Sequence, residues 1–185
     1  MTPAASGGAP AYPDDLVILW RDEHLVAVHK PAGMLVHRTG LDAGETRFVV
    51  QTLRGQLGGR HVWPLHRLDK GTCGVLLLAL DADTARRMGA AFAGGAIEKR
   101  YLALVRGWLP EAVTVDHPLR RLDSLLRMDD APPDAPAQPA VTAFRRLARL
   151  EWPEAFDPRH PTTRLSLVEA RPHTGRRHQI RRHLK

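Results

Sequence analysis

A single cysteine, Cys73, stands in 185 residues. One thiol excludes an intrachain disulfide and any Cys-based zinc site, and it fits a reducing compartment. Aromatic residues are scarce at 5%. No apolar stretch approaches the roughly eighteen residues of a membrane helix. The opening Met1 to Pro10 lacks the basic and apolar regions of a secretory signal. Residues 1–13 are therefore expected to be a disordered leader on a cytoplasmic protein that makes no membrane contact. Acidic groups are the minority, 20 against 27 Lys plus Arg, which leaves a net charge of +7. Arginine far outnumbers lysine, and planar guanidinium groups match phosphate geometry, so a polyanionic partner is favoured. A high-GC coding bias, which enriches Arg, Ala, Gly and Pro together, is the alternative cause. The length and the 43% apolar content suffice for one domain with a real core.

The pattern is that of a mixed chain of strands and helices, without an internal repeat. Leu16–Trp20 and Leu25–His29 read as two short strands at hairpin spacing, and Lys30-Pro-Ala-Gly33 turns the chain. Val49, Leu53 and Leu57 recur at helical spacing within 46–57 before Gly58-Gly59, which predicts a helix with a glycine stop. The run 75–80 reads as a strand covered on both faces. Asp81 or Asp83 can then cap a helix bearing Ala85, Met88 and Phe92 on one face and closed by Gly94-Gly95. Further strands are expected over 101–106, 113–115, 141–150 and 163–170. Four prolines between Asp129 and Pro139 predict a surface loop. Over 172–184 a basic helix is expected, with Ile180 and Leu184 on one face and Arg177 and Arg181 on another. His173, His178 and His183 are five apart, so on such a helix they cannot share a face around a metal ion.

Residues 66–74 read His-Arg-Leu-Asp-Lys-Gly-Thr-Cys-Gly. They place the carboxylate of Asp69 in a glycine-bounded loop that feeds an apolar strand, at the mouth of a cleft. On spacing alone the stronger reading is the plain one, since an Asp two residues from an Arg is usually a turn cap or a surface ion pair.

His66-Arg-Leu-Asp69 followed by Thr72-Cys-Gly74, then Lys99-Arg-Tyr101, then Thr174-Gly-Arg-Arg-His-Gln-Ile-Arg181 stand in one order along the chain. In that order and context they resemble the RluA-type RNA pseudouridine synthases. The opening Leu25-Val-Ala-Val-His-Lys-Pro-Ala-Gly33 resembles the same family's first hairpin and turn. Gly33 to Arg38, Gln51 to Leu57, Gln138 to Thr142 and Arg159 to Arg164 resemble its tRNA pseudouridine-65 branch. His29 and Cys73 depart from the family's Asn and Ser at supporting positions. Family members also continue through further strands past the Thr-Gly-Arg island, so the chain is expected to be a C-terminally truncated member.

The resemblance implies an α+β fold over 14–185, a mainly antiparallel sheet with flanking helices around a central RNA-binding catalytic cleft. It implies an isomerase that detaches uracil N1 from ribose, rotates the base and rejoins it through C5, with neither cofactor nor metal. Asp69 matches the essential carboxylate, as nucleophile or as base toward a ribose proton. Arg181 matches the cation that keeps this carboxylate ionised inside a dry pocket. Tyr101 matches the residue that stacks on the target base, and Arg67 the one that fills the gap left by a flipped uridine. His66, Lys99, Arg176, Arg177 and His178 are the accompanying RNA-contact candidates. The implied partner is RNA, tRNA before ribosomal RNA, bound by a monomer. An RNA-binding module without turnover, and a nucleoside hydrolase needing a second carboxylate, are the alternatives.

Overall fold

The computed structural model describes residues 14–38, 46–121 and 136–185. The expected leader over 1–13, and most of the proline-rich loop, lie outside the described residues. The chain divides into two compact units, one ending at Gly94 and the other beginning at Gly95.

The first unit is built on a sheet of order β1-β2-β4-β3. The hairpin forms as expected from β1 (Val17–Arg21) and β2 (Leu25–Lys30), with Asp22 capping its turn by accepting from the backbone of His24 and Leu25. Helix α1 (Val49–Gln56) turns Val49 and Leu53 into the core and stops at Gly58 and Gly59, whose φ of 66° and 86° few other residues adopt without strain. Strand β4 (Gly74–Ala79) pairs antiparallel with β2 along its whole length. It is not covered on both faces, because Leu76 and Leu78 are fully buried while Val75 is 59% exposed. Val26, Val28, Met34, Phe48, Val49, Leu53, Leu76 and Leu78 are all buried. Each such side chain contributes roughly 1.5–3 kcal/mol by leaving water. Helix α2 (Ala82–Ala93) starts where the sequence placed it. Asp81 is its N-cap and accepts from the Thr84 amide at 2.8 Å, while Asp83 pairs outward with Arg86 and Arg87. No residue pattern marks β3 (Trp63–Pro64), a two-residue strand beside β4.

The second unit carries a sheet of order β5-β10-β9-β6, again antiparallel throughout. Its strands are β5 (Tyr101–Arg106), β6 (Ala112–Asp116), β9 (Val141–Trp152) and β10 (Thr163–Pro172), with a short ribbon of β7 (Leu119–Arg120) and β8 (Ala137–Gln138) between them. β8 falls in the stretch expected to be loop. One sheet face packs Phe144, Val168 and Ala170 against Tyr101, Val105, Val113, Val115, Ile180 and Leu184. Leu165 and Leu167 lie on the other face, and a bulge between Leu167 and Val168 shifts the register. Leu102 and Leu104 share that outer face and are 69% and 64% exposed.

The expected helix over 172–184 is shorter. Only α3 (Gln179–His183) is helical, entered through His178 in the left-handed region with φ 54°. Arg177 therefore lies outside the helix and not one turn below Arg181. The segment has more than its two apolar anchors. His183 contacts Thr142 Oγ1 and the His117 carbonyl, and Arg182 donates to the Arg120 carbonyl at 3.0 Å.

Candidate active site

The loop bearing Asp69 is made where β3 leaves β4. The ladder runs through Trp63 and Pro64, and Leu65 still donates to the Leu77 carbonyl at 3.1 Å. The next rung is supplied by a side chain. The Leu77 amide donates to Nε2 of His66 at 3.1 Å, so that nitrogen is the unprotonated one, and the imidazole stacks on Phe92 at 5.0 Å. His66 thus has one ring nitrogen and one ring face committed to holding the loop. Beyond it, Leu68 is buried, Arg67 is exposed and Asp69 is half-buried. The Asp69 carbonyl accepts from the Thr72 amide at 3.0 Å and closes the turn.

Under this loop lies a group that sequence reading passed over. Lys30 is fully buried, and its ammonium donates to the carbonyls of Pro31 at 2.9 Å, Met34 at 2.6 Å and Lys70 at 3.3 Å. The Lys70 carbonyl also accepts the Gly33 amide at 2.7 Å, with Gly33 at φ 84°. Burial pushes the Lys30 ammonium below the usual lysine range, opposed by the Coulomb attraction of Cys73 and Asp69. The first turn and the Asp69 loop are thereby tied at one cation. Lys-Pro directly after an apolar strand was the available signal, since a lysine ending a buried strand must find carbonyl acceptors.

The remaining candidates stand in the second unit. Tyr101 opens β5 opposite Ala170 and packs its ring into the core that also receives Ile180, the neighbour of Arg181. Lys99 is half-buried, and burial lowers its pKa. The Thr-Gly-Arg loop is organised by Gln179, which is 4% exposed. Its Oε1 accepts from Thr174 Oγ1 at 2.7 Å and from the Arg176 amide at 2.9 Å. Its Nε2 donates to the Val141 carbonyl and to Thr142 Oγ1. Arg176 itself donates through Nε to the Pro139 carbonyl. Arg181 is exposed on α3, while Arg177 and His178 are half-buried in the turn that precedes it. Among the described residues no cluster of His, Cys, Asp or Glu is arranged to hold a metal ion.

A sequence profile described as RNA pseudouridylate synthase matches residues 24–185. The chain belongs to this family. It is 52% identical over 169 residues to tRNA pseudouridine synthase C of Vibrio cholerae, covering 91% of this chain and 68% of that protein. It is 48% identical to tRNA pseudouridine synthase C of Haemophilus ducreyi, covering 92% and 69%. Among solved structures, human RNA pseudouridylate synthase domain containing 1 is similar with a TM-score of 0.71 at 25% identity, covering 94% of this chain and 66% of that one. Human domain containing 4 is similar with a TM-score of 0.64 at 32% identity, covering 91% and 63%. The chain thus spans about two thirds of the length of these relatives. The α+β fold with antiparallel sheets agrees with the family expectation, and no described helix is long and apolar enough to cross a membrane.

Proposed function

We propose that the chain is the catalytic part of an isomerase that converts a uridine of tRNA, in the position-65 manner, to pseudouridine in the cytoplasm. The observation that carries this reading is the half-buried Asp69, set in a loop fastened by the His66 ring and by the buried Lys30 ammonium. A carboxylate borne on a loop whose backbone is tied down on both sides of it is pre-organised for reaction.

In this reading Asp69 either attacks C1′ of the target nucleotide or removes a ribose proton. The bond from C1′ to N1 breaks and the uracil turns. C1′ then bonds to C5, the C5 proton leaves, and N1 takes up a proton. Tyr101 stacks on the base, and Arg181 supplies the cation that opposes the carboxylate. Arg67 fills the gap in the RNA stack. Lys99, Arg176, Arg177 and His178 meet the backbone phosphates. His66 acts through the loop it holds.

The test is Asp69→Asn, with tritium release from tRNA carrying C5-labelled uridine as the readout. Turnover is expected to be abolished while tRNA affinity stays within about twofold of wild type, since one carboxylate adds little to many phosphate contacts. Appreciable residual tritium release in a folded Asp69→Asn protein would sink the assignment.

A further inference from the structure

A second cluster of guanidinium and aromatic groups lies in the second unit, away from Tyr101. Strand β5 runs from Tyr101 opposite Ala170 to Arg106 opposite Leu165, so Arg106 is about 17 Å further along the sheet. At that end the β9–β10 hairpin outruns its neighbours. β6 pairs with β9 only from Val141 to Arg145, and beyond Arg106 the pairs Arg164 with Glu151 and Thr163 with Trp152 stand without β5.

Trp108, just past the end of β5, sits under two guanidinium groups. Arg164 is 4.2 Å from its ring centroid and Arg149 is 5.4 Å away. Trp108 is nevertheless 43% exposed, and Phe156 at the hairpin tip is 61% exposed. Arg164 also lines a cleft of about 430 Å³ together with Arg106, Glu151, Asp157, His160 and Thr162. The acids there are already engaged. Asp157 is held by Arg159 at 2.7 Å, and Glu151 accepts from Thr162 at 2.6 Å. Arg164 and Arg106 meet these carboxylates only at 3.7 Å and 4.0 Å, and Arg149 makes no ion pair among the described residues.

An exposed indole with cations over it supplies two things at once, a π-face for a base and N–H groups for a phosphate. An acidic peptide would use the arginines and leave Trp108 and Phe156 wet. An apolar ligand would be opposed by the charged cleft beside them. An unstacked nucleotide satisfies both requirements.

We propose that the Trp108, Arg149 and Arg164 cluster is a second RNA contact, which stacks an unpaired nucleotide of the substrate on Trp108 and holds its phosphate with the two arginines. This inference rests on the reading that the substrate is RNA.

The test measures affinity of the 185-residue chain for a fluorescein-labelled tRNA transcript and for a short labelled single-stranded RNA. Trp108→Ala is expected to weaken both on the order of tenfold, Arg149→Ala several-fold, and Trp108→Phe by no more than about twofold, because a phenyl ring still stacks. Far-UV circular dichroism and the thermal midpoint check that each variant is folded. If Trp108→Ala does not fold, the exposed Arg149 carries the test. Wild-type affinity in Arg149→Ala and Trp108→Ala would overturn the proposal. So would equal loss in the Phe and Ala variants, which marks packing, or displacement of the RNA by polyglutamate as readily as by unlabelled RNA, which marks a general anion surface. Tritium release by the wild-type chain is measured separately. Turnover without any effect of these substitutions removes this inference alone, and Trp108-dependent RNA binding without turnover removes the isomerase reading alone.

Discussion

The buried ammonium of Lys30 donates to the carbonyl of Lys70, the residue that follows Asp69, at 3.3 Å. The same nitrogen holds the carbonyls of Pro31 and Met34, so one cation fixes the end of β2, the turn after it and the loop proposed to carry the chemistry. A side chain at the end of the second strand thus sets the position of a carboxylate some forty residues on.

Lys30→Met should be costly for that reason. The apolar replacement fills the volume but leaves buried carbonyls without donors, at about 1–3 kcal/mol for each that finds no water. A drop of at least about 2 kcal/mol in urea stability is expected, with turnover per folded molecule lowered as the loop loosens. An unchanged urea midpoint together with unchanged turnover would refute the positioning role.

Arg67→Ala should separate catalysis from binding. Arg67 is exposed beside Asp69, and its proposed task is to occupy the gap left by the flipped uridine. Turnover is expected to fall more than affinity does. 2-Aminopurine placed next to the target uridine should report less unstacking in the variant, and equal fluorescence with and without Arg67 would exclude the role.

Gln179→Leu tests the hub of the Thr-Gly-Arg loop. Four hydrogen bonds from one buried amide hold Thr174, Arg176, Val141 and Thr142 together. Their loss is expected to cost about 2–4 kcal/mol and to speed amide exchange over 174–184. Protection there equal to wild type would show that α3 is held by Ile180 and Leu184 instead.

The α2 cap supplies a prediction in pH. The Thr84 amide and then His24 lower the Asp81 carboxyl from 3.8 to about 2, and His24 is raised in turn by its hydrogen bond to Asp81. A lowered carboxyl contributes stability above its unfolded value and loses it as pH falls from 3.8 toward about 2. The raised histidine contributes below 6.5 and loses its share as pH rises through its folded value. Asp81→Ala should therefore melt below wild type at pH 5, with the gap closing as the pH approaches 2. Asp81→Asn should keep most of the cap and lose the acid dependence. Parallel melting curves for wild type and Asp81→Ala across that range would contradict this.

Local punctuation was legible because its physics is local. Gly58-Gly59 stops α1 through positive φ, and Asp81 caps α2 with its own side chain. Strand faces were less legible. Val75 lies in a continuous apolar run yet is exposed, and Leu167, part of the apolar alternation expected in β10, lies on the same outer face as Leu102 and Leu104. The two residues of β3 carry no period at all, and the His66 ring that extends their ladder meets an amide eleven residues on.

The sequence by itself determined the family and the order of the main strands and helices, since motif order and turn chemistry are written in neighbouring residues. Only the tertiary structure decided that Lys30 lies buried beneath the Asp69 loop, that His66 completes a strand, that Gln179 organises the arginine loop, and that Trp108 meets Arg149 and Arg164. The contacts of Lys30 with Lys70, of Gln179 with Val141 and of Trp108 with Arg149 join residues far apart in the chain. Their partners are fixed by which backbone groups burial strips of water, and that is settled only when the sheets close.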